Sequence, residues 1–116
     1  MSAGYPKLVR DRIPSLMRAE GKRPVEERLT REQARVWTLR KLVEEAREAL
    51  RAYENPPPRN PRKEVIAELA DVEEALMAVR RTHQIMPNEV ERARRKKANS
   101  KGSFHKLVLI RTVSKT

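Results

Sequence analysis

Two groups of carboxylates have spacings that could do chemistry. Glu44, Glu45 and Glu48 read E-E-x-x-E, and Glu68 and Asp71 read E-x-x-D. Residues three or four apart on an α-helix lie on one side of it, one above the other. Glu45 and Glu48 therefore project together, as do Glu68 and Asp71. If the two segments are adjacent antiparallel helices, the two pairs converge. Like charges at these spacings cost ~0.2–0.5 kcal/mol per pair in an isolated helix. A shared divalent cation removes that cost. Mg²⁺ suits such a site, because it is hard, takes oxygen ligands octahedrally and keeps waters and substrate phosphates in its shell. The competing reading is a solvated charged face, since 14 residues of the chain are Glu. The pattern alone leaves both open.

The cations are distributed unevenly. The 116 residues include 27 Lys and Arg against 16 Asp and Glu, a formal net charge of +11. Between Lys41 and Arg80, nine acidic residues face seven basic ones, a net of −2, so the flanks carry +13. A carboxylate-rich centre thus lies between two basic arms. Lys7, Arg10 and Arg12 in the first arm, and Lys96, Lys97 and Lys101 in the second, are candidates to contact phosphates. The run Arg92, Arg94, Arg95, Lys96 and Lys97 also raises nucleic acid as a partner. No helix-turn-helix or zinc-finger pattern accompanies it, and aromatics are only 3% of the chain, too few for a stacking platform.

Helices must position these groups. Pro14 to Ala19 is a short helical candidate that Gly21 can end. Thr30 and Gln33 form an S/T-x-x-E/Q capping box, and a long helix should follow to about Tyr53. Its apolar stripe is Val36, Leu39, Val43, Ala46 and Leu50. The proline-rich stretch Asn55 to Pro61 breaks it. Asn60 then reads as an N-cap and Pro61 as the first residue of a second long helix ending near His83. Val65, Leu69, Val72, Leu76 and Val79 form that stripe, widened by Ile66 and Met77. Pro87 opens a third, basic helix to about Ala98, and Gly102 ends the helical part. The apolar tail from Phe104 to Ile110 alternates and could pair as a short strand. The expectation is an all-α fold: an antiparallel helical hairpin or bundle with a short extended tail.

Size and composition bound the rest. The length suits one domain, residues 1–116. With no cysteine there is neither a disulfide framework nor a thiolate metal site. No apolar run approaches a bilayer span and no secretory signal is evident, so a cytoplasmic location is the default expectation. A thin aliphatic core in a helical chain this short favours burial of the apolar stripes in a homo-oligomer. Trp37, Tyr5 and Tyr53 read as core or interface residues before base-stacking ones, Phe104 as an anchor for the tail. His83 and His105 lack ligand spacing.

E-E-x-x-E, followed after the 19 residues Ala49 to Ala67 by E-x-x-D, resembles the signature of the MazG-type all-α nucleoside triphosphate pyrophosphohydrolases. That superfamily includes dimeric dUTPases and phosphoribosyl-ATP pyrophosphatases. The stretch Tyr5 to Pro14 (YPKLVRDRIP) resembles the opening of the small phosphoribosyl-ATP-pyrophosphohydrolase-like branch, and Lys96 to Phe104 (KKANSKGSF) resembles its basic ending. Two positions depart from it. Ser103 stands where the branch usually has a second glycine, and His105 where an acidic residue often follows.

The resemblance implies Mg²⁺-dependent hydrolysis of a nucleoside triphosphate, possibly a non-canonical one in a house-cleaning role, to a monophosphate and pyrophosphate. It implies Glu45, Glu48, Glu68 and Asp71 as metal ligands, with Mn²⁺ able to substitute. Glu44 becomes a supporting carboxylate, and Glu44 or Glu48 the group that takes the proton of the attacking water. It also implies a homodimer or homotetramer with shared active sites. A basic nucleic-acid-binding module and an inactive scaffold of the same fold are the alternatives.

Overall fold

Local sequence signals set the helix ends. The computed structural model describes residues 4–54 and 61–115 and contains four α-helices: α1, Ile13–Ala19; α2, Arg31–Glu54; α3, Pro61–Thr82; and α4, Pro87–Lys101. Thr30 caps α2 as its residue type predicts: the Gln33 amide donates to Thr30 Oγ1 at 3.2 Å, and the Thr30 amide donates to Gln33 Oε1 at 2.9 Å. Gly21, at φ +82°, closes α1. There the Lys22 amide donates to the Met17 carbonyl and the Gly21 amide to the Arg18 carbonyl, the 6→1 and 5→2 pair of a Schellman ending. Pro61 and Pro87 each open a helix, where a missing amide costs nothing. The expected Asn60 cap and the loop before it lie outside the described residues.

Contacts gather into two compact units, Met1–Gln84 and Ile85–Thr116. In the first, α2 packs against α3. The two run antiparallel. Arg35, near the start of α2, donates from Nε to the Thr82 carbonyl at the end of α3 (3.1 Å). Thr38 Oγ1 lies 3.1 Å from Thr82 Oγ1. Further along, Glu45 of α2 approaches Glu68 and Asp71 of α3.

The seam between α2 and α3 differs from the apolar stripe of α2. The seam residues of α2 are Thr38, Leu42, Glu45, Ala49 and Ala52, at spacings of four and three, with Ala34, Arg35, Trp37, Lys41, Glu44 and Glu48 half-buried beside them. On α3 they are Val65, Glu68, Val72, Ala75, Val79 and Thr82. Only Thr38, Glu45 and Ala75 fall in the buried class among the described residues. Most of the α2 seam positions stand one residue before the expected stripe, about 100° around the helix. Val36, Leu39, Val43 and Leu50 consequently remain about half exposed, as do Ile66, Leu69 and Met77 on α3. The expected stripe is real as an apolar face, but it is not the face that meets α3.

The second unit holds α4 and the tail. Glu89 accepts the Met86 amide at 2.8 Å and so satisfies a donor at the start of α4. Glu91 takes Arg94 at 2.6 Å and Arg95 at 3.1 Å, at helical spacings of three and four. The Arg94 hydrogen bond first, then the two guanidinium charges, hold its carboxyl down to about 2. The described part of the tail forms no strand, against the expectation from its alternation. It turns at Phe104–Lys106, with Leu107 at φ +51°. A strand needs a partner edge for its amides and carbonyls, and all regular elements among the described residues are helices. Phe104, Leu107, Val108, Leu109 and Ile110 stay exposed, so Phe104 does not anchor the tail within its own unit as expected.

Candidate metal centre

Helix periodicity places the acidic motifs across the α2–α3 seam. Glu45 occupies a seam position, and Glu44 and Glu48 lie one residue before and one turn beyond it. Glu68 occupies a seam position on α3, and Asp71 comes one turn later. The outcome is two acidic triads. Ligand oxygens of Glu44, Glu45 and Glu48 lie within 4.8 Å of one another, and so do those of Glu45, Glu68 and Asp71. Glu45 belongs to both.

Glu45 is the most enclosed member, with its side chain only 9% exposed. Its Oε1 receives the Lys41 ammonium at 3.0 Å. Its Oε2 is buried without a hydrogen-bond partner, and so is Oε2 of the half-buried Glu68. An unpartnered buried carboxylate oxygen is costly. Two of them beside further carboxylates form a donor set for a hard cation, which wants several oxygens and tolerates their negative charge. On this ground the residues could hold a hard metal ion.

Electrostatics within the cluster are asymmetric. Burial pushes the Glu48 carboxyl up, and Glu45's charge, Glu45's hydrogen bond and Glu44's charge add to it, while Lys41 works against it. Burial works to lower the Lys41 ammonium. The Glu45 hydrogen bond and the charges of Glu44 and Glu45 outweigh it, so Lys41 holds its proton more firmly than usual.

Of the candidate phosphate-contacting residues, Arg10 reaches the cluster. Its Nη2 lies 2.6 Å from Asp71 Oδ1, bridging the segment before α1 to α3. Lys7 sits over the Tyr5 ring, 5.2 Å from its centroid. Arg12 is exposed at the start of α1. Lys96, Lys97 and Lys101 lie on the exposed surface of α4 in the second unit. Trp37 carries Arg40 over its ring at 4.9 Å. His83 turns Nδ1 to the Val79 carbonyl at 2.9 Å, a helix-end contact consistent with its lack of ligand spacing.

Comparison with known protein families, curated proteins and solved structures gives no match. No described helix is long and apolar enough to cross a membrane. Sequence reasoning missed Lys41 as a member of the site. Its signal was present, since Lys41 stands three residues before Glu44 and four before Glu45, within ion-pair reach of both on a helix.

Proposed function

We propose that this protein is a Mg²⁺-dependent nucleoside triphosphate pyrophosphohydrolase. One observation carries the reading: two acidic triads share Glu45, and buried, unpartnered oxygens of Glu45 and Glu68 belong to them. The resemblance of the E-E-x-x-E and E-x-x-D motifs to the MazG-type enzymes supplies the reaction class.

Glu45, Glu68 and Asp71 would hold the divalent ion, with Glu48, which gathers with Glu44 and Glu45, as a further ligand. Bound there, the ion supplies charge neutralisation at phosphate oxygens and a water of lowered pKa. Glu48 takes a proton from the water that attacks the α-phosphorus. It does so with whichever oxygen is not used as a ligand. Glu44 supports Glu48 through its neighbouring charge. As the water oxygen bonds to the α-phosphorus, the bond to the β-bridging oxygen breaks and pyrophosphate leaves. Arg10 offers a guanidinium to the leaving group's charge. Lys7, Arg12, Lys96, Lys97 and Lys101 are assigned to phosphates by charge and motif position. A cytoplasmic location, among nucleotides, belongs to the same reading.

The exposed stripe of Val36, Leu39, Val43 and Leu50 supports a homo-oligomer. An open groove along this face is lined by Val36, Leu39 and Val43 together with Arg40, Glu44, Arg47 and Arg51. A half-exposed apolar row of this length is an interaction surface in a small helical protein.

The test is pyrophosphate release from a panel of canonical and modified nucleoside triphosphates with Mg²⁺. Turnover is expected on at least one, falling by about 100-fold or more in Glu45→Ala and in Asp71→Ala. Turnover on none, or turnover indifferent to both substitutions, would end the reading.

A further inference from the structure

The carboxylate cluster already holds two cations of its own. Lys41 Nζ lies 3.0 Å from Glu45 Oε1 and 3.5 Å from Glu44 Oε1. Arg10 Nη2 lies 2.6 Å from Asp71 Oδ1, from 61 residues away in the chain. We propose that Lys41 and Arg10 are built-in counter-cations of the cluster, exchanged for the divalent ion when it binds and then turned toward the anionic ligand. The inference rests on the metal-site reading above.

Three features support exchange over permanent pairing. The first is incomplete service. Each cation engages only one oxygen of its closest carboxylate, and Glu45 Oε2 and Glu68 Oε2 stay unpartnered. A divalent ion with several ligand positions can use these oxygens as well. The second is exclusion. A Mg²⁺–oxygen bond is about 2.1 Å long, and an ammonium held on the same carboxylate would sit beside a doubly charged ion. Repulsion at that range is strong in a partly desolvated site. The third is freedom to leave. Lys41 has a flexible four-carbon stem, and its side chain is 20% exposed, so a path to solvent exists. Arg10 is 57% exposed on its side chain and leaves more easily still. After exchange, both charges stand next to the ion, where a phosphate would arrive. Lys41 and Arg10 are thus competitors of the metal in the empty site and hydrogen-bond donors for the anion once the metal is bound.

Calorimetric titration of the full chain with MgCl₂ alone tests this, using Lys41→Met, Lys41→Arg, Arg10→Met and, as a control at the exposed first residue of α2, Arg31→Met. Removing the competitor should tighten Mg²⁺ binding about 3- to 10-fold in Lys41→Met and about 2-fold in the more exposed Arg10→Met. Lys41→Arg should restore wild-type affinity, and Arg31→Met should leave it unchanged. A thermal melt without Mg²⁺ accompanies each variant, and Lys41→Met should melt below wild type. A support role for Lys41 would weaken Mg²⁺ binding on its loss. Equal or weaker binding by Lys41→Met therefore overturns the proposal, as does an equal gain in Arg31→Met. Amine acylation of the wild-type protein gives a second readout. Lys41 should label faster with Mg²⁺ than without, and an unchanged or slower rate overturns exchange. If the wild type binds Mg²⁺ but these signatures fail, only the exchange is lost. If the wild type binds no Mg²⁺, the metal-site reading falls with it.

Discussion

Glu48 connects the cluster's electrostatics to a measurable pH dependence. Its carboxyl is pushed up by burial first and by its acidic neighbours next. The folded protein therefore binds the Glu48 proton more tightly than the unfolded chain does. That contribution to stability is fully present below the ordinary glutamate range, about 4.3. It is lost as pH rises through the raised folded value. In EDTA, the melting temperature of the wild type should fall relative to Glu48→Gln as pH climbs upward from about 4.3. Thermal melts of the two proteins from acid to neutral pH check it, and parallel curves would refute it. At this scale much was legible in the sequence. The spacings of Glu45, Glu68 and Asp71 anticipate the convergence across the two helices, whereas Glu48 gathers with Glu44 and Glu45 on α2 alone. Lys41 escaped notice because its spacing to Glu44 and Glu45 gains weight only once Glu45 is known to be buried, and the chain holds 27 basic residues.

At the scale of elements, the boundaries were readable and the facing was not. The capping box at Thr30, the glycine after α1 and the prolines at the starts of α3 and α4 act locally, within one turn. Which side of α2 meets α3 depends on both helices at once. A hydrophobicity rule selects Val36, Leu39, Val43 and Leu50 for the core. The structure instead puts Thr38 and Glu45 there, because the seam includes the carboxylates. That placement costs stability. Removing both charges with volume-matched apolar residues, Glu45→Leu with Glu68→Leu, should raise unfolding stability in EDTA by about 1–4 kcal/mol. The double variant should also lose any Mg²⁺-dependent rise in melting temperature. Urea unfolding with and without Mg²⁺ reads both effects, and a lower urea midpoint than wild type would contradict the first. The tail failed as a strand for a non-local reason as well: alternation describes one strand, and a sheet requires a second.

For the molecule as a whole, the outward stripe is the feature with the widest reach. The proposed homo-oligomer predicts that charge placed on it dissociates the assembly. Leu39→Glu or Val43→Lys should reduce the light-scattering mass to that of one 13.5 kDa chain, whereas Arg92→Glu on α4 should not. A wild-type protein already at one-chain mass would refute assembly. The overall charge of +11 has a narrower meaning once its parts are separated. Arg10 is engaged by Asp71, Lys41 by Glu45, and Arg94 and Arg95 by Glu91. The half-exposed stripe has one more consequence. If assembly covers it, subunits gain burial that one chain cannot supply, and mass action enters the folding equilibrium. Dilution then becomes a denaturant: the melting temperature of the wild type should depend on how much protein is in the tube.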